Sequence, residues 1–150
     1  MAKPDESGGN DSFGAGQVDA AKRPSGTSQI DFDLGFYDSI LQREPNYIDV
    51  LRCQAELLSR KGLHARAVEA DRRLVKLCPD SSLVRYNFAC SLAGSGKPHD
   101  AIAQLSKAVE LGYDDLEHLL ADPDLDSLRD LPEYHALLRG FDLVEAGESH

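Results

Sequence analysis

Apolar residues fall in stripes of helical spacing between residues 30 and 111, and nowhere alternate with period two over a useful length. Phe32, Phe36, Tyr37, Ile40 and Leu41 make the first stripe. Pro45 stops that helix, because the residue before a proline resists the helical region. Asp49 helps to start the next, over 48–60, with Val50, Leu51, Leu57 and Leu58 inward and Gly62 as its C-terminal stop. A third helix, over 64–77, carries Ala67, Val68, Leu74, Val75 and Leu77 on one side and ends at Pro79. Asp80-Ser81-Ser82 supplies caps for a fourth helix reaching about residue 93. Gly94-Ser95-Gly96 is a turn, and Pro98 suits the first turn of a fifth helix, to about residue 111, striped by Ala101, Ile102, Leu105, Ala108 and Val109. Beyond Gly112 the regularity fades to short helices over 115–121 and 132–139. The pattern predicts an all-α fold.

The stripes repeat. Pro45 and Pro79 stand 34 residues apart, as do Gly62 and Gly96, Ala55 and Ala89, Leu58 and Leu92, Ala67 and Ala101, and Leu77 and Leu111. A fixed period of this size means stacked helical units, whose open faces hold other molecules. The expected organisation is a disordered tail over 1–29, a half repeat over 30–47, full repeats over 48–81 and 82–115, a degenerate cap over 116–140 and a flexible end over 141–150.

Charge sharpens this. The chain has 150 residues and a formal net charge of −10, so nucleic acid is not the expected partner. Residues 48–81 carry +2, residues 82–113 carry +1 and residues 114–150 carry −9, which puts the acid in the cap. That acid either solubilises the end or meets a basic partner. No apolar run reaches the roughly 20 residues of a membrane span. No apolar signal core stands at the N-terminus, so a cytoplasmic location is expected. Cys53, Cys78 and Cys90 form no C-x-x-C pair and read as reduced thiols in small apolar sites.

The 34-residue helix-turn-helix resembles the tetratricopeptide repeat family. In that register small residues (Ala55, Ala67, Ala89, Ala101 and Ala108) fall where paired helices approach. Bulkier Leu51, Leu58, Leu74, Phe88, Leu92 and Leu105 fill the spaces between. Asp122-Pro123-Asp124-Leu125, Leu128-Arg129 and Pro132-Glu133-Tyr134 with Leu137-Leu138 are similar to a closing segment common after bacterial arrays of this family. The resemblance implies a short right-handed α-solenoid in which the first helix of each repeat lines a concave groove. That groove would comprise Asp49, Arg52, Cys53, Glu56 and Ser59, then Leu83, Tyr86, Asn87, Cys90 and Ala93, continued by Glu117 and Leu120. Tyr86 is an amphipathic anchor, Asn87 can pair with a peptide backbone, and Arg52 can meet a carboxylate. The family's clamp for chaperone-tail carboxylates is only partly present. Asn87 and Arg52 suit it, whereas Glu56, Glu117 and Ala121 do not.

Gln54, Asp71 and Arg85 replace apolar residues, and Tyr113 replaces the second repeat's terminal proline. Asp71 and Arg85 are expected to pair across the repeat interface. Asp122, Asp124, Asp126, Asp130 and Glu133 have the ligand spacing of an EF-hand calcium loop, but Ser127 stands where glycine is needed and Arg129 opposes a cation. His64, His99, His118 and His135 never reach metal-ligand spacing with a cysteine, although His118 and Asp122 lie one helical turn apart. Gly94-Ser95-Gly96-Lys97 resembles part of a phosphate loop without the preceding strand. No catalytic residues, metal or cofactor are therefore expected. The expected function is binding of a peptide or helix of another protein, and self-association is the alternative.

Overall fold

The computed structural model describes residues 26–148, with side chains over 29–141. The expected tail lies outside the described residues up to residue 25, but its last residues are helical. Helix α1 spans Gly26–Arg43, α2 Ile48–Arg60, α3 His64–Leu77, α4 Ser82–Gly94, α5 Pro98–Glu110, α6 Leu116–Ala121 and α7 Pro132–Glu148. A 3-10 helix over Pro123–Leu128 separates α6 from α7. The protein is all-α, with no strand among the described residues.

The period extends to the caps. Gly62 and Gly96 both adopt a left-handed φ, 84° and 78°. At each, the residue after the glycine donates its N–H five residues back, Leu63 to Leu58 O at 2.8 Å and Lys97 to Leu92 O at 3.0 Å. These bonds satisfy carbonyls that a helix end leaves without partners. Tyr113 closes α5 the same way on Ala108 O at 2.9 Å, after Gly112. Ser81 caps α4, accepting from the Val84 N–H at 3.2 Å. Gly94-Ser95-Gly96 is therefore a helix end and not a phosphate loop. Gly94 is also a close approach, since a Cβ there would come 2.6 Å from His64 Nδ1.

Successive helices pack on one another from α1 through α5, and the 3-10 helix turns back onto α4 and α5. Ala67, Ala89, Ala101 and Ala108 are fully buried at the crossings, where any larger side chain would push helices apart. Two apolar clusters result. One gathers Leu34, Leu41, Leu51, Leu58, Leu74 and Val84, and the other gathers Phe88, Leu92, Leu105, Leu119, Leu125, Leu128, Tyr134 and Phe141.

Two expectations change here. Helix α7 continues to Glu148, past the expected end at residue 139, and Phe141 is buried against the second cluster. Asp71 and Arg85 do not pair. Arg85 turns to the rim, donating to Pro79 O at 3.2 Å and Gln104 Oε1 at 3.1 Å, and Asp71 accepts instead from the Ser91 hydroxyl at 2.6 Å. A buried carboxylate is satisfied there by a short neutral donor, leaving the long guanidinium nearer water.

Candidate functional site

The inner surfaces of α2 and α4, with α6 and the start of the 3-10 helix, bound a cleft of about 510 Å³. Arg52, Glu56, Ser59 and Arg60 come from α2, spaced so that they share one helix face. Leu83, Asn87 and Cys90 come from α4, with Tyr86 and Ser91 beside them. Asp71 and Leu74 reach in from α3, and His118, Asp122 and Asp124 close the end.

Of the groove residues expected from sequence, Arg52, Glu56, Ser59, Leu83, Tyr86, Asn87 and Cys90 meet in this cleft. Asp49 does not. It lies in the first turn of α2, beside the turn at residues 44–48, where its charge complements the helix N-terminus. Cys53 is exposed outside the cleft and Ala93 is buried. The continuation is shifted by one to two positions, because His118 and Asp122 line the cleft in place of Glu117 and Leu120.

Tyr86 has a different role from the one expected. It is 2% exposed, stacked on Tyr113 with centroids 4.4 Å apart, and its hydroxyl donates to Asp122 Oδ2 at 2.6 Å. Burial and this hydrogen bond to a carboxylate both push its pKa far up. It is a structural wall of the cleft and not a free anchor. Arg52, Asn87 and Leu83 are exposed in the cleft, Leu83 to 47%, and so are Glu56, Arg60, His118 and Asp124.

Asp122 is the hub of the closed end. Oδ1 accepts from the Asp124 N–H at 2.9 Å, capping the 3-10 helix, whose first residue is Pro123. Oδ2 takes Tyr86, approaches Cys90 Sγ at 3.7 Å and lies 3.4 Å from His118 Nε2. The Arg129 guanidinium donates to Asp122 O at 2.6 Å and Leu119 O at 3.2 Å, and also to the Tyr134 hydroxyl. The EF-hand spacing thus dissolves into separate partners. Asp126 pairs with Arg129 at 3.4 Å and Glu133 with His99 at 2.7 Å. Cys90 Sγ and oxygens of Asp122 and Asp124 do lie within 4.8 Å of one another, close enough to share a cation. Burial, then the Asp122 charge, raises the Cys90 pKa, which keeps it a thiol in the metal-free protein.

Asp71, 2% exposed on the cleft floor, is raised from 3.8 to about 6 by burial, only partly opposed by the Ser91 hydrogen bond. A carboxyl that holds its proton more tightly when folded contributes stability that is fully present below pH 3.8 and lost as pH rises through about 6. Asp71→Asn keeps an acceptor for Ser91 and cannot ionise. Urea unfolding should show variant and parent nearly alike at pH 4, and the variant ahead by about 2 kcal/mol at pH 8. Equal differences at both pH values would contradict this.

A curated chloroplastic protein of Arabidopsis thaliana is 29% identical to this chain over 94 residues, covering 61% of the chain. The chain spans 28% of the length of that relative. No protein-family profile matches the chain, and no solved structure matches it. Among the described residues no helix is long and apolar enough to cross a membrane.

Proposed function

We propose that this chain is a short right-handed α-solenoid of tetratricopeptide-like repeats, a non-enzymatic adaptor that holds a peptide or helix of another protein in the cleft. The observation that carries the reading is the recurrence of one helix-turn-helix, down to the same cap hydrogen bonds after Gly62 and Gly96, with exposed Arg52, Leu83 and Asn87 facing one cleft. Stacked units of this kind leave a concave face to which partners dock. The polar groups there suit recognition of a peptide main chain. The three cysteines, all free, suit a reducing compartment such as the cytoplasm.

Arg52→Glu combined with Asn87→Ala changes only exposed side chains, so circular dichroism should remain that of the parent. Affinity for a protein that co-purifies with the parent chain should fall by about tenfold or more. Undiminished affinity would remove the cleft from the binding reaction. Recovery of nothing but further copies of this chain would favour self-association instead.

A further inference from the structure

We infer that the segment held in the cleft is basic, and that an arginine or lysine side chain of the partner enters at the end formed by Asp71, Asp122 and Asp124. This rests on the cleft being the binding face and adds the chemistry of its occupant. Four carboxylates line the cleft, those of Glu56, Asp71, Asp122 and Asp124. Glu56 lies 3.7 Å from Arg60 on its own helix. The other three have no arginine or lysine partner on their carboxylates among the described residues. Asp71 has the Ser91 hydroxyl. Asp122 has the Tyr86 hydroxyl, a main-chain N–H and the His118 imidazole. The Asp124 carboxylate accepts no hydrogen bond among the described residues, and only His64 and His118 act on it favourably from a distance.

Oxygens of Asp122 and Asp124 lie within 4.8 Å of each other and of Cys90 Sγ, and Asp71 lines the same cleft. The cations of the lining, Arg52 and Arg60, stand on α2. Arg129 is nearby but uses its donors on main-chain oxygens, Asp126 and Tyr134. The cleft is therefore polarised, negative where α4 meets the cap and positive along α2. Asp71 and Asp122 are buried and Asp124 stands exposed at their side, and carboxylates so gathered repel one another and are offset by an incoming cation. A guanidinium brings that charge together with several donors. Leu74, Leu83 and Val84 give the same cleft an apolar side, which fits a segment mixing basic and apolar residues. A metal ion fits less well, because both Asp122 oxygens already accept hydrogen bonds.

The test is a nitrogen-15 NMR titration of the full chain with two probes, acetyl-Leu-Arg-Leu-Arg-amide and acetyl-Leu-Glu-Leu-Glu-amide. The basic probe should shift the amides of Asn87, Ser91, His118 and Asp124 saturably. Its affinity should fall about tenfold in Asp71→Asn/Asp124→Asn, since Asp71→Asn keeps an acceptor for Ser91 and the Asp124 carboxylate has no hydrogen bond to lose among the described residues. The acidic probe should leave those amides unmoved. If the acidic probe shifts them instead, the basic occupant is refuted while the cleft survives as the binding face. Shifts by the basic probe confined to other surfaces, or none with either probe, also refute it, and the Arg52/Asn87 experiment then judges the cleft separately. Zinc chloride alone giving the same shifts at micromolar concentration, abolished by Cys90→Ser, would replace the peptide with a metal ion.

Discussion

Asp122→Ala should destabilise the protein by about 3 kcal/mol in urea unfolding, because it strands a buried hydroxyl and uncaps a helix at once. The Tyr86 hydroxyl, with its donor hydrogen bond of 2.6 Å to Asp122, lies in a site closed by the Tyr113 ring, and losing the carboxylate leaves it without an acceptor. The Asp124 N–H loses its acceptor in the same step, and Pro123 leaves the 3-10 helix with few other ways to begin. Tyr86→Phe removes the stranded group, so Tyr86→Phe/Asp122→Ala should cost clearly less than the two single changes added together. Asp122→Asn offers an oxygen to each donor in turn and should be the mildest of the series. Additive costs would mean that the hydrogen bond contributes nothing specific.

Arg129→Met should also cost about 3 kcal/mol, although it removes one partly exposed charge. The guanidinium ties three chain segments together. It reaches Leu119 O in α6, Asp122 O before the 3-10 helix and the Tyr134 hydroxyl in α7, with its carbon 5.5 Å from the Tyr134 ring centroid. Methionine retains the apolar stem and none of the donors. Arg129→Lys should recover less than half of the loss, because an ammonium is a single point and cannot span these acceptors. Hydrogen exchange should show where the loss acts, with faster exchange at the amides of Leu119, Leu125 and Tyr134 and little change in α2. Uniform acceleration across all helices would contradict a role local to the cap.

The helices were legible because their signals are local. Pro45, Pro79 and Pro98 restrict the backbone at their own positions, and Gly62 and Gly96 permit a left-handed turn. The bounds of α2 to α5 and the end of α1 follow from them within about two residues, whereas α1 starts four residues before the expected onset. The α2 and α4 walls of the cleft were legible for the same reason, since residues three and four apart share a face. The closed end was not. Asp122 was visible as one member of a carboxylate series, yet its partners Tyr86 and Cys90 lie 36 and 32 residues earlier. Only the return of the 3-10 helix onto α4 brings them together. The pairing of Asp122 with Pro123 was the available signal, a cap followed by a proline at the first helical position. Asp71 and Arg85 show the converse error. Their registers suggest a salt bridge, but a hydroxyl on the next helix satisfies the buried carboxylate at lower desolvation cost. The positions that break the period prove to be those that join helices. Gln54 donates to Asp38 at 2.6 Å, Asp71 takes Ser91, Arg85 reaches Gln104, and Tyr113 stacks on Tyr86.

The most direct measurement is a photo-crosslinking map in cells that produce the full chain. A photo-reactive residue is placed in turn at Arg52, Leu83 and Asn87, which face the cleft, and at Glu69, Lys107 and His135, which are exposed elsewhere. One protein should be cross-linked from the three cleft positions and absent from the other three. Cross-links of equal yield from both sets, or from the outer set alone, would contradict the assignment of the cleft as the face that holds a partner.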